Sequence, residues 1–311
     1  MKRKVIQIAG STQLVSLPRS WSKRHSIQKG EELDVQEDGN RVIISNSARP
    51  QVEKAEFNAD EFSNMVVRAI GAFYRRGVDE LKINFTNPKV LDQISYELSK
   101  ETSGFEVLEQ GKNYCVVKYV GGSIEEFDLI LRRTFLLLNT MAEETAEAIK
   151  NGEFDRINNI ASLEEANNRF TSICRRYLNK GGSTNYSKIG PLYHIIQELE
   201  NIADEYKYIC QHFAHLKNKK VKLDKQAVDT FMLANSTIRK FYELFYKFDK
   251  QKILELREIR TKVVERGHDV YKKNLCYADY WLAHHSLIIS NLVFGLTGAY
   301  MILFLEEKGS Q

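Results

Sequence analysis

The chain has 311 residues, 43% of them hydrophobic and 28% charged, with a formal net charge of +4. Apolar content on this scale supports packed cores and excludes a wholly disordered chain, while only 4 prolines and 17 glycines exclude a collagen-like or loop-dominated all-β protein. At about 150 residues per domain, the length predicts two domains, or three if one is small. Cys115, Cys174, Cys210 and Cys276 lie far apart with no paired spacing, which fits a reduced interior better than a disulfide framework or a zinc site. Residues 1–20 carry no apolar run of the secretory kind, so the expectation is a soluble, cytoplasmic protein.

Residues 1–46 show the short alternating runs Lys4-Val5-Ile6-Gln7-Ile8 and Val42-Ile43-Ile44, with Gly10, Gly30 and Gly39 as turn punctuation. Between them, Pro18 to His25 reads as one or two helical turns, with Pro at the start, Trp21 inward and cations near the C-terminal end. The predicted order is strand, strand, short helix, strand, strand. So small a unit has little core of its own and is expected to need a second copy.

Ser47-Ala48-Arg49-Pro50 reads as a linker to a small α/β domain over 52–122. There, Phe62, Val66, Ala69, Ile70 and Phe73 form a helical stripe within Ala59 to Arg76, and Leu81 to Phe85 alternates as a strand. Val90 to Leu98 is helical again, and Phe105–Leu108 and Tyr114–Val120 are strands around a turn. This segment carries no phosphate-cradling glycine loop and no catalytic pair; it reads as a spacer or a ligand-sensing module.

From Ser123 to residue 306 helical periodicity runs almost unbroken, with one proline, Pro191. Leu129, Arg132, Arg133, Leu136, Thr140 and Glu144 open a helix ending at Asn151-Gly152, followed by Phe154 to Leu178, stopped by Gly181 to Asn185, and by Pro191 to Leu216. Leu223 to Tyr246, Gln251 to Leu275 and Tyr280 to Leu305 follow, giving an all-α bundle of six helices arranged as two three-helix repeats. The predicted fold class is therefore α+β multidomain. Leu287 to Leu305 holds no charge over 19 positions, close to membrane-spanning length. Its Ser290, Asn291, Gly295, Thr297 and Gly298 lower that apolarity, so a buried helix is expected rather than membrane insertion.

The first thirty residues carry Lys2, Arg3, Lys4, Arg19, Lys23, Arg24 and Lys29 and no acid; acids return at Glu31, Glu32 and Asp34. A one-sided positive field suits a polyanion, because each cation that neutralises a phosphate releases counter-ions; it also suits a merely solvated face. The runs Lys4-Val5-Ile6-Gln7-Ile8-Ala9-Gly10-Ser11, Val15-Ser16-Leu17-Pro18-Arg19-Ser20-Trp21 and Ile27 to Val35 resemble the AbrB/MazE/SpoVT family of swapped-hairpin DNA-binding domains. That resemblance implies an intertwined homodimer whose paired hairpins form one β-barrel over nearly all of 2–46. It places Arg3, Lys4, Arg19, Lys23 and Arg24 on DNA, with Ser11 and Ser16 adding neutral contacts to phosphate. Trp21, Leu17 and Val35 are expected in the core and His25 at the helix end. Family members also serve as antitoxins or plain dimerisation modules.

Two acidic stretches stand out among the helices. Glu200 and Asp204 are four apart and share a face, and Glu164 and Asn168 repeat the spacing with an amide in second place. Such spacing alone usually marks a solvated face, but facing carboxylates are also how bundles hold hard cations. Glu198 to Phe213, with its apolar stripe at Tyr208, Ile209 and Phe213, and Glu164 to Tyr177 resemble the two signatures of PhoU-family helical repeats. The resemblance implies a metal site at Glu164, Asn168, Glu200 and Asp204 for iron, zinc or another divalent cation. Asn168 in place of a carboxylate weakens it, and the second half offers His284, His285 and Asn291 but no clean acid pair.

No partnered nucleophile, P-loop or dinucleotide fingerprint occurs, so no enzyme is expected. The fusion of these parts resembles archaeal regulators of phosphate uptake. It implies a DNA-binding regulator of phosphate homeostasis with the bundle as sensor or docking domain for a phosphate transporter or sensor kinase. The other reading is an adaptor on the transporter whose N-terminal unit only dimerises. The metal, the operator, the partner and the role of 52–122 are not legible in the chain.

Overall fold

A computed structural model describes residues 1–8, 10–46, 52–122, 126–181, 186–216 and 221–305. The expected linker Ser47 to Pro50 and most of the glycine-rich stop, 182–185, lie outside these residues. The chain divides into two compact units, Met1–Val52 and Glu53–Gln311.

The first unit consists of two antiparallel hairpins around a short helix. β1 (Ile6–Ile8) pairs with β2 (Thr12–Leu14), and Gly10 at φ +78° supplies the left-handed residue of the turn. Helix α1 (Arg19–Arg24) starts after Pro18, whose fixed φ of −61° suits that position. β3 (Asp34–Asp38) pairs with β4 (Arg41–Ser45) across a two-residue turn, Gly39-Asn40, with Gly39 at φ +56°. Each hairpin is a separate two-stranded sheet, so no barrel closes within one chain. Among the described residues none of this unit is buried. Leu17 and Trp21 are half-covered, and Val35, expected in the core, is exposed because two ribbons and six helical residues have nothing to close over them.

The second unit opens with the α/β segment: β5 (Lys54–Asn58), α2 (Val66–Arg76), β6 (Glu80–Asn84), α3 (Val90–Lys100), β7 (Phe105–Gln110) and β8 (Tyr114–Tyr119). The sheet order is β5-β6-β8-β7, with β5 and β6 parallel and the other pairs antiparallel. A parallel pair needs a crossover, and α2 supplies it. Strand alternation sends Leu81 and Ile83 into a core with Phe57, Ile70, Tyr74 and Val117, and leaves Glu80 and Lys82 to ion pairs with Lys54 and Glu56. The expected helix from Ala59 begins only at Val66, after two 3-10 turns, because the Asn58 side chain accepts the Asp60 N–H and tightens the start.

The helical region comprises α4 (Phe127–Asn151), α5 (Ile157–Ala161), α6 (Leu163–Asn179), α7 (Tyr186–Ala214), α8 (Lys225–Tyr246), α9 (Lys250–Tyr271) and α10 (Tyr277–Phe304). Seven helices stand here among the described residues, one more than the expected six. The predicted helix from Phe154 breaks at Ser162, whose hydroxyl donates to the Asn159 carbonyl at 2.7 Å and competes with the helical ladder. Pro191 lies inside α7 rather than at its start. Asp224 and Asp249 cap α8 and α9 by accepting backbone N–H groups. Phe135, Leu138, Ile196, Leu199, Tyr206, Phe231, Phe241, Leu282, Ile289 and Tyr300 belong to one buried core, and α6 also packs on α2 of the α/β segment. Helix α10 is long and apolar enough to cross a membrane by length and composition, and it packs against α7, α8 and α9, burying Leu282, Ile289, Val293, Leu296 and Tyr300.

Candidate functional site

Two groups of residues carry chemistry, one in each unit. In the first, Arg3 and Lys4 precede β1, and Arg19, Lys23 and Arg24 lie on α1; all five are exposed, as are Ser11 and Ser16. Lys23 and Arg24 occupy the last turn of α1, where cations favour the carbonyl end of a helix. His25 is the residue after that helix, its ring 5.0 Å from the Trp21 ring, so it closes the helix against the half-buried tryptophan. Alongside the cations, Val5, Ile6, Ile8, Leu14, Val15, Val35, Val42 and Ile44 are exposed. Apolar exposure of this extent on a unit of 52 residues is the kind of surface that interaction sites present.

In the second unit, α6 and α7 bring the sequence-predicted acids together, but in two subsets. Glu164 accepts from the Asn168 amide at 2.6 Å and from Lys207 Nζ at 2.8 Å, and Lys207 also donates to Asp204 at 2.5 Å. Glu200 stands apart in this network, accepting from Thr171 Oγ1 at 2.7 Å and from the Arg175 guanidinium. Helix α3 of the α/β segment and the residue after it add Lys100, 2.5 Å from Glu165, and Glu101, 3.5 Å from the Asn168 amide. Burial raises the Glu164 carboxyl against the pull of Lys207. Burial depresses the Lys207 ammonium, but hydrogen bonds to Asp204 and Glu164 outweigh it and leave its pKa above the ordinary lysine value. Arg175 is lowered by burial, with Glu200 opposing.

Lys207, Arg175, Thr171 and Glu101 belong to neither acidic stretch that the sequence marks, Glu164 to Asn168 and Glu200 to Asp204. Lys207 follows Asp204 by three and Arg175 follows Thr171 by four, spacings that place each pair on one helix face. Among the described residues no group of three or more His, Cys, Asp and Glu side chains converges as a cation site. In the second half, His285 Nδ1 meets Glu205 at 2.5 Å, Asn291 accepts from Arg260 Nε at 2.8 Å, and His284 is exposed. Of the apolar stripe expected on α7, Ile209 and Phe213 are buried and Tyr208 is exposed.

Residues 6–54 match the family described as "Antidote-toxin recognition MazE, bacterial antitoxin". The second similarity is one of fold. The phosphate transport system regulatory protein PhoU from Streptococcus pneumoniae superposes with a TM-score of 0.51 at 11% identity, covering 60% of this chain and 97% of that one. No match is found among curated proteins. The chain thus joins a MazE/AbrB-like N-terminal domain to a helical part whose fold neighbour is PhoU.

Proposed function

We propose that the chain is a DNA-binding regulator of phosphate uptake that acts as a cytoplasmic homodimer, by binding rather than by catalysis. In this reading two N-terminal units cover each other's apolar strands and present Arg3, Lys4, Arg19, Lys23 and Arg24 from both copies to one duplex. The helical part serves as the sensor, or as the docking domain for a phosphate transporter or a sensor kinase.

The observation that carries the reading is the pairing of two exposures on one small unit. Seven cations with no acid before Glu31, the five named above among them, stand beside a strand surface without any buried residue among those described. The family match over residues 6–54 supports a regulatory module of this kind. The fold neighbour PhoU, a regulatory protein of a phosphate transport system, supports phosphate transport as the regulated process. Cations at a helix end and ahead of the first strand reach phosphates, and arginine also clamps a guanine edge.

The test is binding of the full-length protein to upstream regions of phosphate-transport genes and to unrelated duplexes at two salt concentrations. Phosphate contacts make log K fall with log salt at a slope of about −0.9 per contact. Steep salt dependence with preference for the phosphate-gene duplexes is expected. The double charge reversal Arg19→Glu/Arg24→Glu should abolish binding while the protein stays dimeric by sedimentation. Absence of binding at low salt would sink the reading in favour of an adaptor whose N-terminal unit only dimerises.

A further inference from the structure

Helices α6 and α7 form an acidic face, and the groups that meet its carboxylates have a definite chemistry. Lys207 Nζ lies 2.8 Å from Glu164 Oε1 and 2.5 Å from Asp204 Oδ1, so one ammonium bridges carboxylates from two helices. Asn168 stands between the carboxylates of Glu164, at 2.6 Å, and Glu101, at 3.5 Å. Both neighbours are carboxylates, so the amide presents its NH2 to them, and its buried oxygen has no hydrogen-bond partner among the described residues. Glu200 is engaged by the Thr171 hydroxyl at 2.7 Å and by Arg175, whose side chain is 3% exposed. Arg75 of α2, 3.7 Å from Glu101, extends the network to the α/β segment.

A divalent cation of the hard type requires several oxygens free to accept. Here an ammonium, a guanidinium, a hydroxyl and an amide NH2 donate to one oxygen each of Glu164, Glu200 and Asp204, and two of the four donors carry a full positive charge where a metal would have to sit. The residues do not fit a resident metal centre. Four carboxylates, Glu101, Glu164, Glu200 and Asp204, are met by three permanent cations, Arg75, Arg175 and Lys207. Glu164 is buried and the other three are partly exposed, so the cost of leaving a carboxylate unpartnered falls chiefly on Glu164, which Lys207 meets.

We infer that Lys207 and Arg175 are built-in counter-ions that hold the acidic face of α6 and α7 together in place of a divalent metal. Lys207 is the bridging group, since it alone of the two touches acids on both helices. The inference is independent of the DNA-binding reading: it concerns what neutralises the bundle, and either result below leaves the N-terminal unit untouched.

The test uses the full-length protein, with metal content measured after purification and thermal unfolding followed in EDTA and with added Mg2+, Mn2+ or Zn2+. The wild-type protein is expected to carry no stoichiometric metal and to unfold at the same midpoint in every condition. Lys207→Met removes the ammonium and leaves Glu164 and Asp204 facing each other. Its midpoint should fall in EDTA by on the order of 5–10 °C and recover when one of the three cations is added. Adding Glu164→Gln to Lys207→Met should abolish that recovery, and Lys207→Arg should behave as the wild type. Three results would overturn the inference. One is a wild-type protein with a chelator-removable equivalent of metal whose loss lowers its midpoint; another is a Lys207→Met midpoint equal to wild type in EDTA; the third is a lowered midpoint that no cation restores. If Lys207→Met does not fold, the wild-type metal content and its response to EDTA decide the matter alone.

Discussion

The guanidinium carbon of Arg176 lies 4.1 Å from the centre of the Tyr119 ring. Tyr74 and Phe105 complete the aromatic wall at 5.1 and 5.7 Å, so an arginine of α6 is enclosed by the α/β segment. Its donors are spent on the carbonyls of Tyr74 at 3.0 Å and Val78 at 2.7 Å and on Asp79 at 2.7 Å. Asp79 also accepts from Lys180 and from the backbone N–H of Glu53 at 2.9 Å. One side chain at 1% exposure thus fastens the sheet to the bundle, and the two make a single compact unit.

Replacing Arg176 with Met keeps much of the apolar contact but strands the Val78 carbonyl and takes one donor each from Asp79 and from the Tyr74 carbonyl, which keeps the Gly77 N–H. Breaking a buried pair costs on the order of 3–5 kcal/mol, and the remaining Lys180–Asp79 contact puts this variant at the lower end. Urea unfolding of the two proteins measures the difference. A loss below about 1 kcal/mol would mean that the aromatic wall alone holds the junction.

What the chain discloses before folding is which residues share a face, and what it withholds is what stands opposite. The α4 helix is legible from its periodicity, yet the stripe Leu129, Arg132, Arg133, Leu136 and Thr140 turns out to be exposed. Leu131, Phe135, Leu138 and Ala142 face the core. Strand β5 escapes notice because it is an edge strand: only Phe57 is buried, and Lys54 and Glu56 serve a cross-strand charge ladder that reads as loop polarity. For the acidic face, i,i+4 spacing pairs Glu164 with Asn168, but Lys207 and Glu101 arrive from other elements at separations of 43 and 67 residues. In the N-terminal unit the alternating runs and turn glycines mark the two hairpins, whereas the expected closed barrel is not formed within the chain, where each hairpin is a separate two-stranded sheet.

Glu97 gives a pH-dependent prediction. It sits on α3 at 2% exposure, close enough to α2 that a Cβ on Gly71 would lie 2.7 Å from its carboxyl oxygen. Burial, reinforced by the charge of Glu101 and opposed by Arg75, pushes its pKa from 4.5 up to about 8. The folded state therefore holds a proton that the unfolded chain has lost between those two values. Stability from this group is full below about pH 4.5 and is lost as pH rises toward 8, with a slope of at most about 1.4 kcal/mol per pH unit. Glu97→Gln, which stays neutral, should flatten that decline and unfold at higher denaturant than the wild type at pH 8. Denaturation midpoints at several pH values measure both curves, and parallel curves would refute the protonated carboxyl.

Asp279 joins the starts of α8 and α10. Its carboxylate accepts from the N–H of Asp224 at 2.8 Å, the N–H of Cys276 at 3.3 Å and the Cys276 thiol at 3.0 Å, and it is 2% exposed. Asp279→Ala removes the shared acceptor of these donors, of which those of exposed Cys276 can turn to water and the Asp224 N–H is half-buried. The expected cost is about 2–3 kcal/mol, with faster amide exchange at Asp224 and Cys276 and little change at the far ends of both helices. Uniform loss of protection along α10 would contradict a local capping role.

The strand surface of the N-terminal unit sets the last expectation. Val35 pairs with Ile44 across β3 and β4, and Val42 stands two residues before Ile44, so all three share one face of the ribbon. Val35 and Val42 are 65% and 63% exposed in the single chain, positions that cost stability unless covered. Full burial of such a side chain is worth roughly 1.5–3 kcal/mol, and in a symmetric pair each position counts twice. Val35→Lys or Val42→Lys is therefore expected to raise the dimer dissociation constant by at least about a hundredfold by sedimentation, equivalent to some 2.7 kcal/mol. DNA affinity should fall with it, because dissociation halves the cations on one duplex, and the salt slope should drop toward half its value. Dissociation without loss of DNA affinity would mean that one copy of Arg3, Lys4, Arg19, Lys23 and Arg24 suffices. An unaltered dimer would place the self-association surface elsewhere in the chain.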